Sequence, residues 1–268
     1  MPDIIPVADP ADPRIQAYCA IRERDLVGRE GLFIAEGKVV LAMLLASERY
    51  RPQSLLIAAH RIGALADLLA DVPAGVPVFV AEQAVLDAIA GFAIHRGILA
   101  IGRRIDTPGP DSLLEALPAQ ATILLLSAIA NHDNMGGIFR NAAAFGADAI
   151  LLDSDCCDPL YRKAIRVSVG AILRVPFARL ERGADPLALL ERHGFTPLAL
   201  SPSGATPLAD LAPAPRTAVL LGAEGPGLSP ALLSRAISVC IPMAPGFDSL
   251  NVATTSGIVL HHLAMANR

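Results

Sequence analysis

The residues able to bind a ligand or move a proton gather in three stretches of this chain. The first runs from Asn131 to Gly146 (NHDNMGGIFRNAAAFG), follows an apolar run and opens a helix. Asn131, Asp133 and Asn134 bring polar groups to the helix N-terminus, and Gly136 and Gly137 let another backbone come close. Arg140 stands six residues beyond Asn134, on the second turn. The same stretch also reads as an asparagine cap followed by a solvated arginine. The second stretch, Leu220 to Pro230 (LLGAEGPGLSP), sets three glycines and Glu224 directly after a buried strand. Its backbone amides suit a ligand cradle, or equally a tight left-handed turn before a helix. The third, Ile241 to Leu263, joins strand, loop and helix through Ser249, Leu250 and Asn251. Its small residues, SLNVATTSG, admit close packing by another backbone or subunit; a terminal helix capped by Ser249 has the same pattern.

Several chemistries are excluded by what these loops lack. The glycine loop has GxxGxG spacing, not GxGxxG, and no acidic residue follows at the end of SVCIPM, which argues against a dinucleotide oxidoreductase. It has no GK[ST], so it is not a P-loop. The four cysteines, Cys19, Cys156, Cys157 and Cys240, form no CxxC pair and no metal spacing. They read as free thiols in a reducing compartment. His132 is the only histidine or cysteine in the loops themselves, and it reads as a loop residue rather than a base.

Loops of this kind need parallel strands behind them, because open α/β sheets bind ligands beyond the carboxyl ends of their strands. The first hundred residues alternate accordingly. Helical spacing covers Asp12 to Leu26, Lys38 to Ser47, Ala64 to Leu69 and Glu82 to Ile89. Apolar strand-like runs are GLFIAEG, Ser54 to Ala59, Pro77 to Ala81 and RGILAIGRR. Ile105 to Pro118, with four prolines or glycines and one short helical piece, reads as a linker centred near Thr107 to Pro110. The boundaries are therefore a first domain over 1–105, a linker over 106–118 and a second domain over 119–268. The second domain restarts the alternation. Strands are expected at Ala121 to Ile129, Asp148 to Asp153, ILRVPF, TPLALS, Thr217 to Gly222 and SVCIPM. Helices are expected at Gly136 to Phe145, Leu160 to Ser168, Pro186 to His193, Ser229 to Arg235 and Asn251 to Ala266. This is a parallel α/β layout.

The chain has 268 residues, 53% of them hydrophobic and 18% charged, enough to bury a sizeable core and too apolar for a disordered chain. Its net charge of −4 removes the whole-chain basic balance that announces nucleic acid, so any such contact must be local. One local basis is the segment Asp155 to Arg182, with six Arg or Lys against three Asp or Glu. Arg162, Lys163, Arg166 and Arg174 there suit a phosphate-facing patch or an ordinary solvated helix. The proline-rich, acidic start is unlike a signal peptide, and no apolar run reaches the ~18 residues of a membrane span. A soluble cytoplasmic protein is expected.

Taken together and in this order, NHDNMGGIFR, LLGAEGPGLS and IPMAPGFDSLNVATTSGIVL resemble the three motifs of the SpoU (TrmH-like) family of RNA ribose 2′-O-methyltransferases. DPLYRKAIRVSVGA between them resembles the family too, and the match spans Ala121 to the C-terminus. Met135 departs mildly from it, replacing a commoner leucine or valine. FIAEG and HRGILAI resemble, more weakly, the family's substrate-binding domain, which is like ribosomal protein L30e. The resemblance implies a SPOUT fold, a parallel sheet with a deep C-terminal trefoil knot, preceded by a smaller L30e-like α/β domain. It implies bent S-adenosylmethionine held by Gly222, Ile241 and Leu250, with Asn134, Arg140, Glu224, Ser249 and Asn251 as polar active-site residues and no metal. It further implies structured rRNA or tRNA as partner and a homodimer through the C-terminal domain. Arg140 is the base in the family's chemistry; because arginine normally stays protonated, stabilising the alkoxide or clamping a phosphate is the alternative role. A non-catalytic RNA-binding relative of the same fold is the rival reading.

Overall fold

The computed structural model describes residues 3–18, 31–90, 97–105, 108–212, 214–247 and 249–266. The chain divides into two compact units, Met1–Asp106 with Leu160–Arg174, and Thr107–Pro159 with Val175–Arg268.

The first unit holds β1 (Asp3–Val7), β2 (Leu32–Glu36), α1 (Lys38–Leu45), β3 (Tyr50–Ala58), α2 (Ala66–Ala70), β4 (Pro77–Ala81), α3 (Gln83–Ala90) and β5 (Ile98–Arg104). Its sheet has the order β1-β4-β3-β5-β2 and is mixed: β1, β4 and β3 run parallel, and β5 is antiparallel to both β3 and β2. Strand β1 carries no strand signal in the sequence. It lies at the sheet edge with Val7 alone buried, and there Pro6 removes no needed ladder bond. The expected helix from Asp12 is a 3₁₀ turn over Pro13–Tyr18; its continuation to Leu26, Cys19, and the start of HRGILAI lie outside the described residues. In this unit the Arg162 guanidinium donates to Glu36 Oε2 from Nε at 3.1 Å and from Nη2 at 3.0 Å. The two side chains are only 16% and 9% exposed. Arg162 is thus committed to an ion pair and does not belong to the phosphate-facing patch proposed from the sequence, whereas Lys163, Arg166 and Arg174 are exposed.

The second unit holds α4 (Pro110–Glu115), β6 (Ala121–Leu126), α5 (His132–Phe145) and β7 (Ala149–Leu152). After α6 (Arg162–Val167), which clusters with the first unit, come β8 (Phe177–Arg179), α7 (Pro186–Arg192), β9 (Thr196–Leu200), β10 (Thr206–Pro207), β11 (Arg216–Leu221), α8 (Pro230–Leu233), β12 (Ile237–Cys240) and α9 (Val252–Ala266). All six strand pairs are parallel, in the order β10-β12-β9-β11-β6-β7-β8. A parallel strand is covered on both faces, which is why ATILLL and AILL are almost unbroken apolar runs. Alternation of apolar with polar residues is not needed there: Ile123 and Leu125 face one core cluster while Leu124 and Leu126 are buried as completely. Two late strands enter gaps between earlier ones, β11 between β9 and β6, and β12 between β10 and β9. The stretch read as a linker carries α4, whose Leu113 and Leu114 are buried in the core cluster of this unit. ILRVPF is not one strand. Ala171–Leu173 forms a 3₁₀ turn, and β8 starts only at Phe177, after Pro176.

Helices α5 and α9 pack side by side. A Cβ on Gly137 would lie 2.8 Å from Ala253 Cβ, so only glycine allows this approach. Asn141 Nδ2 donates to the Ala253 carbonyl at 2.7 Å and to Ser256 Oγ at 2.9 Å across the contact. The small-residue face of SLNVATTSG is thereby filled by a helix of the same chain. Among the described residues no helix is long and apolar enough to cross a membrane.

Candidate active site

The loops after β6, β9, β11 and β12 all leave the sheet at its carboxyl end. The β6 loop turns through Ala128, whose φ of 55° is unusual for a residue with a side chain. Asp153, just beyond β7, holds it: Ser127 Oγ donates to Asp153 Oδ2 at 2.8 Å and the Ala128 amide at 2.9 Å. Asn131 then caps α5, its Oδ1 accepting from the amides of Asp133 at 2.7 Å and Asn134 at 3.4 Å. The helix thus starts earlier than the glycine pair suggested, and His132 is its first residue, not a loop residue. At the other helix Asn251, not Ser249, is the cap, with Oδ1 accepting from Ala253 N at 2.9 Å and Thr254 N at 3.2 Å.

These two helix starts and the β11 loop meet in one polar cluster. Asn134 Nδ2 donates to Glu224 Oε1 at 2.8 Å. Asn251 Nδ2 donates to Asn134 Oδ1 at 2.8 Å and to the same Glu224 oxygen at 2.9 Å. Asn134 is 7% exposed, while Glu224 and Asn251 face solvent. The carboxylate lies against two helix N-termini, where the aligned peptide dipoles favour negative charge.

Beside the cluster lies a cavity of about 460 Å³, within the usual range of small-molecule sites. The β11 loop forms one wall. A Cβ on Gly222 would stand 2.3 Å from the carbonyl carbon of Gly227 and 2.5 Å from Leu228 N, so the loop can fold back on itself only with glycine there. The Gly227 amide donates to the Ala223 carbonyl at 3.0 Å and closes the fold-back. Ile241, Met243 and Leu250 supply an apolar wall, and Ser249, Asn251 and Thr255 supply polar groups. Glu224 is the only charged side chain lining the cavity among the described residues.

Of the residues expected from the sequence, Gly222, Ile241, Leu250, Glu224, Ser249 and Asn251 all line this cavity. Asn134 joins it through hydrogen bonds to Glu224 and Asn251. Arg140 does not. It is exposed on α5, lines no part of the cavity and has no hydrogen-bond or ion-pair partner among the described residues. Six residues at 100° each place it about 120° around the helix from Asn134. The wall contributed by Leu200, Ser201 and Pro202 was missed, although their place at the carboxyl end of a parallel strand was the available signal.

The cavity suits a compact, partly apolar cation of the nucleoside kind: greasy walls for a flat ring, backbone amides for its edges and one carboxylate for a positive centre. The adjacent Cys156 and Cys157 are held as thiols. Burial, with the Asp153 carboxylate adding to it, pushes the Cys156 thiol up to about 12, and burial with Asp158 pushes Cys157 up to about 11. Cys156, Cys157 and Cys240 are free cysteines. Among the described residues no group of three or more His, Cys, Asp or Glu is placed to hold a metal.

Fold and site define an α/β protein that takes a small ligand at the carboxyl end of a parallel sheet. The chain belongs to the SpoU rRNA methylase family, whose model matches residues 121–261. An uncharacterized tRNA/rRNA methyltransferase of Mycobacterium bovis is 40% identical to it over 268 residues, covering 97% of this chain and 91% of that one. An AdoMet-bound rRNA methyltransferase from Sinorhizobium meliloti shares the fold with a TM-score of 0.83 at 23% identity, over 98% of each chain. An RNA 2′-O ribose methyltransferase shares it with a TM-score of 0.74 at 22% identity, over 98% of this chain and 99% of that one.

Proposed function

We propose that this protein transfers a methyl group from S-adenosylmethionine to a ribose 2′-hydroxyl of structured rRNA or tRNA. The observation that carries the reading is the Asn134–Glu224–Asn251 cluster at the edge of the glycine-walled cavity. Family membership supports the methyl-transfer class and its cofactor.

S-adenosylmethionine supplies a methyl group on a sulfonium, which a nucleophile displaces in line. Gly222, Ile241 and Leu250 would hold it, the glycine by bringing backbone close and the other two by apolar contact. Glu224 places a negative charge beside a cationic ligand. Asn134 and Asn251 hold that carboxylate in one orientation, and Ser249 offers a hydroxyl on the cavity wall. The acceptor oxygen would form its bond to the methyl carbon as the carbon–sulfur bond breaks, S-adenosylhomocysteine leaving as the thioether and the hydroxyl proton passing to solvent water. Arg140 lies outside its own subunit's cavity, so its guanidinium would serve that step by stabilising the oxyanion or clamping a phosphate from across a two-fold interface. A homodimer through the C-terminal domain is accordingly part of the proposal. Ile258 and Met265, 39% and 45% exposed on α9, are the apolar residues it would cover. The insertion of β11 and β12 between earlier strands supports a trefoil knot as the device that brings the β11 and β12 loops together. Residues 1–105 would form an L30e-like domain that selects RNA in the cytoplasm.

Calorimetry should detect S-adenosylmethionine binding that persists in EDTA. With in vitro transcribed rRNA and methyl-labelled cofactor, alkaline hydrolysis should leave the label in resistant dinucleotides, because a 2′-O-methyl blocks cleavage. Label in mononucleotides would replace the 2′-O reading. Cofactor binding without transfer to any rRNA or tRNA transcript would favour the non-catalytic RNA-binding relative.

A further inference from the structure

The chain has eight Phe, three Tyr and no Trp. Among the described residues all of these aromatics but one are buried or half-buried; the exception is Phe247, at 73% exposure. A phenylalanine left in water forgoes the burial that stabilises its fellows, so this ring adds little to the fold. Its position is specific. It stands in the loop between β12 and α9, of which Ile241 and Met243 at one end and Ser249 and Leu250 at the other line the cavity. Phe247 is two residues from Ser249, hence within about 7 Å of it along the chain. The Phe247 amide donates to the Ala244 carbonyl at 3.1 Å, and Gly246 takes a left-handed φ of 85° to close that turn. Phe247 itself lines no part of the cavity. Leu250, 38% exposed, is a second exposed apolar residue of the same loop and lines the cavity.

We propose that Phe247 is a stacking platform for a nucleobase of the RNA substrate. The inference rests on the RNA-methylation reading above and goes beyond it by naming a side chain that holds the acceptor strand. A flat neutral base fits this place better than a phosphate does. The apolar ring offers no charge to an anion, and among the described residues the one charged side chain lining the adjoining cavity is Glu224, whose carboxylate repels one. A ring face accepts any base, so the platform contributes affinity and leaves sequence choice to other contacts.

Because the chain lacks tryptophan, Phe247→Trp places a single indole at this point, which can be excited apart from the three tyrosines. Two probes are titrated against the full-length protein: a mixed-sequence single-stranded RNA dodecamer and its abasic counterpart with the same phosphates. The base-bearing oligomer should quench the emission and the abasic one should not. Phe247→Ala should bind the dodecamer about tenfold more weakly, Phe247→Tyr should restore it, and S-adenosylmethionine affinity should stay unchanged in both. Emission indifferent to the dodecamer overturns the proposal. So does emission that changes with protein concentration alone, which would put a second copy of this chain on the ring. If Phe247→Ala methylates rRNA with unchanged KM while wild type is active, the platform fails and the enzyme reading survives. If the dodecamer quenches the tryptophan but wild type transfers no methyl, the platform survives and the enzyme reading fails.

Discussion

Asn251 Nδ2 reaches both Asn134 Oδ1 and Glu224 Oε1, at 2.8 and 2.9 Å, so one amide ties the last helix to the two other site elements. Asn134 is the buried member of the cluster. Asn134→Ala leaves the facing amide and carboxylate short of one partner each, a loss of about 1–3 kcal/mol. The expected result is a drop in kcat/KM of roughly tenfold to a hundredfold. Asn134→Asp should be worse, because it sets a second carboxylate against Glu224. Steady-state methylation with both variants checks this; wild-type rates in Asn134→Asp would remove the cluster from the mechanism.

Gly222→Ala tests the cavity wall. Its methyl would overlap the Gly227 and Leu228 backbone, which a side-chain rotation does not relieve. Overpacking of this sort costs about 1–3 kcal/mol. Lower thermal stability and loss of cofactor binding by calorimetry are expected together. Gly63→Ala is the matched control, since its added Cβ meets nothing within 4 Å.

Asn141 touches no cavity atom, yet it fixes how α9 lies on α5. Asn141→Ala should lower stability by about 1–3 kcal/mol, since it leaves the Ala253 carbonyl and the buried Ser256 hydroxyl with fewer partners. It should also weaken cofactor binding, because Asn251 caps the same helix and Leu250 directly precedes that cap. Unchanged binding with reduced stability would confine Asn141 to a structural role.

The Cys156 thiol gives a pH dependence of definite sign. Its value is raised from 9.0 to about 12 by burial first and by the Asp153 charge second, so the fold favours the protonated thiol. That contribution is fully present below pH 9.0 and is lost as pH climbs from there towards about 12. Melting temperature should therefore fall on the alkaline side of pH 9 in wild type and fall less steeply in Cys156→Ala. Parallel alkaline slopes in the two proteins would assign the loss to other groups.

Much of the second unit was legible because both of its signals are local. Parallel strands buried on two faces leave almost unbroken apolar runs, as in Ala121–Leu126 and the AVLL of Arg216–Leu221. Loops that must fold tightly show their glycines, as at Gly222, Gly225 and Gly227. What stayed hidden depends on partners distant in sequence. Edge strands β1 and β10 lack the pattern because they bury little: Val7 is the one buried residue of the former, and the latter has only Thr206 and Pro207. Arg162 looks like any basic residue until Glu36, 126 positions earlier, is found against it. On sequence alone Ser249 reads as the helix cap, two residues before the one that takes the role. Asn251 takes the role because its carboxamide also has amide donors to spare for Asn134 and Glu224, which a serine hydroxyl lacks.

Arg140 separates two mechanisms most sharply. It is exposed and has no partner among the described residues, so its replacement should leave the fold within about 0.5 kcal/mol of wild type. Lost activity in a variant is then a matter of chemistry or RNA contact, not of unfolding. An oxyanion stabiliser acts mainly in the transition state, whereas a phosphate clamp already acts when RNA binds. Under the first role, Arg140→Ala should lower kcat by a hundredfold or more on the scale of one lost oxyanion donor, with cofactor affinity unchanged. Under the second, KM for RNA should rise and kcat should hold. Arg140→Lys keeps the charge but loses the planar fork, so near-inactivity there would mean that geometry matters beyond charge. In the proposed dimer the side chain, which lies outside its own cavity, would reach its partner's site. Mixing inactive Arg140→Ala with inactive Asn134→Asp chains and allowing them to exchange should then restore activity, since a heterodimer holds one site with both wild-type groups. No recovery in verified heterodimers, with each variant inactive alone, would place Arg140 and Asn134 of the same chain in one site.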